Sequence, residues 1–255
     1  RQRQMCIRDR WTDAFIALFG RMCDEEQSMQ CANKLIEAQH FFQPMIEQYR
    51  KQPGDGLVSD LVNLEVPALG RKLNDNELHT HIMGELFVGG AETTRNALAS
   101  GMEIMIRRPD VWEKLKGNPD KYMKQFVEEV LRSNSPAQGL YKFAQKDTQI
   151  GGVKIPKGST VIPRYGCANH DERHFENPED FDLERKNAGT HVAFGAGPHH
   201  CLGANLARRE LYWGFKTAVE RFDSVRFAEG KNDFAYHPNF ALRGLKELHI
   251  EFTPA

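Results

Sequence analysis

Residues 191–205, HVAFGAGPHHCLGAN, place one cysteine, Cys201, between glycine-rich sequence and the start of an amphipathic helix. Phe194, Gly197, His199, Cys201 and Gly203 stand at fixed offsets there. Gly195, Gly197 and Gly203 open backbone conformations closed to other residues and let the chain approach a flat ligand. From Leu202 onward, Leu211, Phe215, Val219 and Phe222 fall on one face of a helix. Cys201 therefore stands at a helix N-terminus, where the helix dipole and free N–H groups favour a thiolate. A thiolate in a rigid glycine loop is suited to ligating a metal. Two other readings stand beside that one. Cys201 is a buried structural cysteine, the commoner fate of a lone thiol. Or it joins His191, His199 and His200 around zinc, although adjacent histidines suit a tetrahedral ion poorly and no CxxC pair is present.

A second polar group interrupts a helical pattern. The pattern starts at the capping signature Asn74-Asp75-Asn76-Glu77 and runs to Arg108, where Pro109 stops it. Leu78, Ile82 and Leu86 share a stripe, as do Met83, Phe87 and Ala91, and later Leu98, Met102 and Met105. At 1.5 Å per residue such a helix is about 50 Å long. In its middle stands Gly89-Gly90-Ala91-Glu92-Thr93-Thr94. Two glycines inside a helix cost roughly 1 kcal/mol each against alanine. Thr93 can return its hydroxyl to the carbonyl one turn back and open the helix locally. The plain reading is a close helix crossing with Glu92 in solvent. A third group, Glu129 and Arg132, lies three residues apart on a helix over 120–133. By spacing alone it is an ordinary surface ion pair, worth little.

The cysteine run resembles the haem-ligand loop of the cytochrome P-450 monooxygenases, Phe-x-x-Gly-x-(Arg or His)-x-Cys-x-Gly, at all five positions. In that family a cysteine thiolate holds the haem iron and pushes electron density to favour O–O cleavage. The run 89–94 resembles the family's oxygen-activation motif, (Ala or Gly)-Gly-x-(Asp or Glu)-Thr-(Thr or Ser), and Glu129-Val130-Leu131-Arg132 its buried Glu-x-x-Arg pair. All three occur in family order. The resemblance implies a mainly α fold with small β-sheets (α+β), the C-terminal part of the cytochrome P-450 fold. It implies haem b (iron protoporphyrin IX) as cofactor, with Cys201 on the metal. Gly89 and Gly90 would form the oxygen groove, Glu92 and Thr93 would relay protons, and Phe194, Gly197 and Gly203 would shape the cofactor loop. His199, and Lys142 in place of a commoner arginine, would meet haem propionates; lysine supplies the charge without the bidentate fork.

The reaction so implied is insertion of one atom of O2 into a small hydrophobic organic substrate. Electrons would come from a ferredoxin- or flavodoxin-type donor, with Arg208, Arg209 and Lys216 as candidate docking contacts. Two rivals are a haem-thiolate binding or sensor protein without turnover and an inactive truncated fragment. The third partner of the Glu129–Arg132 pair is open. The family commonly has Arg in the run Pro178-Glu179-Asp180-Phe181, where this chain has Asp180, leaving Arg185 or a backbone group. Segments 135–140 and 240–242 fall where the family lines its substrate site.

The remaining sequence sets bounds. The chain has 255 residues, 40% hydrophobic, with a formal net charge of −1, which gives no sign of a nucleic-acid partner. No stretch of 18 apolar residues occurs, so no membrane segment is expected. Five scattered cysteines do not form a disulfide framework, which fits a cytoplasmic location. Residues 1–10, RQRQMCIRDR, read as a non-native leader of sequencing-artefact type, and 11–255 as a partial haem-thiolate monooxygenase domain lacking its N-terminal part. Helices are expected over 11–20, 25–52 with a kink or break at Pro44, 57–64, 109–116 and 168–174. Strands are expected over 141–150, 153–155, 160–165, 225–227, 234–240 and 248–252, with little regular structure over 175–190.

Overall fold

The computed structural model describes residues 2–20 and 23–255; Arg1, the first residue of the expected leader, lies outside them. The chain forms two compact units, 1–92 and 93–255.

The first unit is helical. Helix α1 spans Gln2–Phe19, so it begins within the expected leader rather than at Trp11. Helix α2, Glu25–Lys51, opens on a capping box in which the Asp24 side chain takes the Gln27 N–H and the Gln27 side chain takes the Asp24 N–H. It runs through Pro44 undivided, so of the two outcomes expected there, a kink or a break, the break does not occur. Helix α3 is Leu57–Asn63, and a short hairpin follows, β1 (Glu65–Val66) against β2 (Arg71–Lys72), which the sequence patterning missed. Helix α4, Asp75–Thr80, starts on the capping box expected at Asn74 and Glu77. Trp11, Ala38, Phe42, Ile46, Val62, Leu78 and Ile82 make the core of this unit. That set joins α1, α2, α3 and the stripe foreseen from Leu78 and Ile82.

The expected helix to Arg108 is present, but its irregularity sits earlier than Thr93. Residues His81–Val88 form a π-helical segment, and the Gly89 N–H reaches back five residues to the Gly84 carbonyl. Wide turns of this kind are rare and cluster at functional sites. Helix α5, Gly89–Arg107, continues from it, and the boundary between the two units falls between Glu92 and Thr93.

The second unit is built on α5 beyond Thr93, α6 (Pro109–Gly117), α7 (Pro119–Ser133) and α9 (Ala204–Arg221). Between α7 and α9 lie β3 (Lys142–Phe143), β4 (Thr148–Ile150), β5 (Val153–Ile155), β6 (Thr160–Val161) and the one-turn helix α8 (Tyr165–Ala168). The expected strand over 160–165 thus stops early and Tyr165 starts the helix, which precedes the helix expected over 168–174. Antiparallel pairs β3–β6, β4–β5 and β7–β8 (Phe222–Phe227 with Ile250–Pro254) complete the unit.

The core joins Val111, Trp112, Leu115, Met123, Phe126, Val127, Val130, Leu211 and Phe215. Phe215 from α9 lies so close to Gly101 of α5 that a Cβ there would stand 2.2 Å from its ring. Close packing of that kind leaves no room for a larger residue. Phe222, placed on the helix face by periodicity, instead begins β7. Residues 234–240 alternate like a strand but form only one bridge, Tyr236 with Leu245. No helix among the described residues is long and apolar enough to cross a membrane. Mainly helical, with four two-stranded sheets among the described residues, the architecture is the α+β class expected.

Candidate functional site

Cys201 is exposed, which removes the reading as a buried structural cysteine. Its loop is ordered by backbone hydrogen bonds: Gly195 N–H to Val192 O at 2.8 Å, His200 N–H to Gly197 O at 3.0 Å, and Cys201 N–H to Phe194 O at 2.9 Å. Gly195 and Gly197 take φ of 70° and 76°, the left-handed region that favours glycine. Gly203 does not; at φ −81° it caps α9, and a Cβ there would lie 3.8 Å from the Cys201 sulfur. The expectation of special backbone geometry therefore holds at two of the three glycines. Helix α9 begins at Ala204 rather than Leu202, one turn of loop beyond the cysteine.

The zinc arrangement is not assembled. His191 is buried and held elsewhere: its Nδ1 accepts the Ala193 N–H at 3.2 Å, and its Nε2 lies 3.2 Å from Glu128 Oε2, off the line of a hydrogen bond. Among the described residues no group of three or more His, Cys, Asp or Glu could hold a metal ion. A single exposed thiol in a glycine loop, flanked by exposed Leu202 and Leu206, fits a flat apolar macrocycle whose iron takes one protein ligand.

Two sets of side chains on α7 hold this loop and the segment that leads into it. The first is the Glu129–Arg132 pair, fully buried rather than on the surface. Arg132 Nε and Nη2 each donate to one Glu129 oxygen at 2.8 Å. Arg132 also donates to the carbonyls of Asn169, Pro178 and Asp180. The open third partner is Arg185, whose Nε meets Glu129 Oε1 at 3.0 Å, together with the Asp182 N–H at 3.1 Å. Both alternatives left by the sequence, Arg185 and backbone groups, are used at once.

The second brace was not foreseen. Glu128, the neighbour of Glu129, receives Arg208 Nε at 2.6 Å and Nη2 at 3.1 Å from α9. The Arg208 guanidinium lies 4.6 Å over the Phe194 ring. Burial alone would raise the Glu128 carboxyl, but His191 and Arg208 outweigh it and lower it to about 2 from the ordinary 4.5. A depressed carboxyl stabilises the folded state above its unfolded value and loses that contribution as pH falls through its folded one. Wild-type stability should accordingly fall more steeply than that of Glu128→Gln between pH about 4.5 and about 2. Urea midpoints taken at stepped pH measure this, and parallel slopes would count against the assignment.

Of the docking cations inferred from sequence, Arg208 is thus engaged internally. Lys216 meets Asp120 at 2.8 Å and Glu220 at 3.1 Å, while Arg209 is exposed. His199 ends a short helical turn, Gly197–His199, and is exposed. Lys142 is exposed on β3, paired with Val161. Thr93 is half-buried on α5, and the next residue, Thr94, donates to Glu210 of α9 at 3.4 Å. Gly89, Gly90 and Glu92 belong to the other unit; both glycines are exposed and Glu92 is buried, not solvated as the plain reading has it. Segments 136–138 and 241–243 pair with each other: Gln138 N–H to Ala241 O at 2.7 Å and Arg243 N–H to Pro136 O at 2.8 Å. No sequence feature linked them short of the resemblance.

Comparison with known proteins agrees with this arrangement. Steroid C26-monooxygenase of Mycobacterium tuberculosis is 32% identical over 254 residues, which is all of this chain and 66% of that protein. The polyketide biosynthesis cytochrome P-450 PksS of Bacillus subtilis is 34% identical over 245 residues, 95% of this chain and 58% of its own length. The crystal structure of P-450 BioI with an acyl carrier protein bearing hexadec-9Z-enoic acid superposes with a TM-score of 0.89 at 29% identity, covering 99% of this chain and 63% of that one. The chain spans less than two-thirds of the length of these relatives. The Cytochrome P-450 family profile matches residues 10–246, and with the loop, the buried pair and the fold in agreement, the chain belongs to the cytochrome P-450 family.

Proposed function

We propose that the protein is a haem-dependent monooxygenase that inserts one atom of O2 into a small hydrophobic organic substrate, drawing electrons from a ferredoxin- or flavodoxin-type donor. The observation that carries this reading is an exposed Cys201 in a loop whose backbone is fixed by Phe194 and two left-handed glycines. Haem b, when bound, supplies the site at which O2 is held and reduced. Cys201 Sγ serves as the iron ligand. The Phe194 carbonyl, by taking the Cys201 N–H, orients the sulfur. Gly197 and Gly203 keep side chains off the cofactor, and His199 and Lys142 supply donors for its carboxylates. Gly89 and Gly90 leave the helix face free of side chains; a Cβ on Gly90 would meet nothing within 4 Å. Glu92, being buried, would receive protons by way of water rather than in direct contact with solvent, and the Thr93 hydroxyl would pass them on by a hydrogen bond, directly or through one water. A proton relay of this kind separates a monooxygenase from a passive haem binder.

The test is a thiolate-type ferrous–CO spectrum followed by turnover in the full-length protein. Thr93→Ala keeps the helix, because alanine is the better helix former. Haem and substrate binding should survive. Product formed per reductant consumed should fall by roughly 10²-fold, the lower end of what a positioned general acid contributes, with hydrogen peroxide appearing instead. An unchanged ratio would make the run 89–94 a packing feature.

A further inference from the structure

We propose that Glu128 is a positioning residue for the Cys201 loop, acting from α7 through Arg208 and His191; this rests on the reading of Cys201 as the iron ligand. One carboxylate reaches both ends of the loop, binding Arg208 by two hydrogen bonds and lying against the His191 ring. On the entering side, His191 is buried with its Nε2 3.2 Å from Glu128 Oε2, and its ring centroid lies 5.8 Å from that of Phe194. On the leaving side, Arg208 of α9 binds Glu128 Oε1 at 2.6 Å and covers the Phe194 ring at 4.6 Å. Phe194 is the residue whose carbonyl takes the Cys201 N–H at 2.9 Å. The path from Glu128 to the cysteine therefore runs through an ion pair, a cation–π contact and a backbone hydrogen bond. Glu129 anchors Asp182 and Arg185 from the same turn of α7, so adjacent residues divide the work. Glu128 holds the cysteine loop and Glu129 the loop before it.

The arrangement also fixes a charge. Arg208 places a cation on the aromatic ring that precedes the cysteine, and Glu128 balances it. Glutamine at position 128 keeps the shape and removes the balance. A nearby uncompensated cation favours the more reduced, more negative state of a buried redox centre.

Hydrogen exchange followed by mass spectrometry reads the first effect, with or without cofactor. In Glu128→Gln the bonded amides of Gly195, His200 and Cys201 should exchange about tenfold faster or more, while those of the α7 core over 126–131 stay as in wild type. Arg208→Lys, which keeps the charge but loses the planar stack and the fork, should loosen the same amides and serves if Glu128→Gln fails to fold. The second effect is read on haem-loaded protein. The midpoint potential should rise in Glu128→Gln and return towards wild type in the charge-balanced double variant Glu128→Gln/Arg208→Gln. Equal acceleration in loop and α7 core, or an unmoved potential, would overturn the proposal and leave an ordinary structural ion pair. Absence of a thiolate-type band in wild type would instead sink the assignment of Cys201, with the exchange result still deciding whether Glu128 holds the loop.

Discussion

Glu129→Ala should destabilise the second unit by about 3–5 kcal/mol, and Arg132→Ala by nearly as much, the range for breaking a buried pair from one side. The order of the two follows from their partners. Arg132 has five N–H donors, and five hydrogen bonds account for them: two to Glu129 and one each to the carbonyls of Asn169, Pro178 and Asp180. Without Arg132, Glu129 still has Arg185 and the Asp182 N–H, but three buried carbonyls lose their donor. Without Glu129, two buried guanidinium groups, Arg132 and Arg185, face each other's surroundings with no counter-charge. Glu129→Ala is therefore the more damaging change. Such losses are a large share of the 5–15 kcal/mol by which domains are stable, so little folded protein should be recovered. Urea unfolding monitored by tryptophan fluorescence gives the magnitude. A loss below about 1 kcal/mol in either variant would be the behaviour of a surface pair.

Cys201→Ser should abolish the thiolate-type ferrous–CO band completely. The loop itself has no reason to change, since its hydrogen bond to Phe194 is made by the Cys201 backbone and survives in serine. What goes is the sulfur, and a neutral hydroxyl is a poor iron ligand and a poor electron donor. Cys167, also exposed, supplies the control: Cys167→Ser should leave the band intact. Persistence of the band in Cys201→Ser would move the ligand elsewhere.

Much of the fold was legible because its signals are local. The capping box at Asn74 and Glu77 lies within four residues, and the buried faces of α7 and α9 follow the helical period. Spacing could not tell that Glu129–Arg132 is buried, because an i,i+3 pair looks the same in solvent and in a core. Glu128 was invisible for a further reason. Its partners His191 and Arg208 stand 63 and 80 positions away, and no local pattern links them. Residues 234–240 misled in the opposite direction. Their alternation suggests a strand, but Phe234 takes φ 54°, the Asp233 side chain holds the Ala235 N–H, and Asn239 holds those of Ala241 and Leu242. Short polar side chains there compete with ladder bonding and turn the chain. The wide helical turns at 81–88 left no mark in the apolar pattern, since Ile82 and Met83 are buried as an α-helix would also require.

Arg132 reads its surroundings by their carbonyl oxygens, and that has a consequence for how this stretch can vary. Asp180 is exposed, and its carbonyl is what Arg132 and Arg185 meet, at 3.1 and 3.0 Å. Every residue has that oxygen. A segment without regular structure is thus held in shape by two guanidinium groups that are indifferent to side-chain identity at the position they grip. A substitution at position 180 leaves both of those contacts available, whereas the two arginines and Glu129 supply the charges and donors themselves.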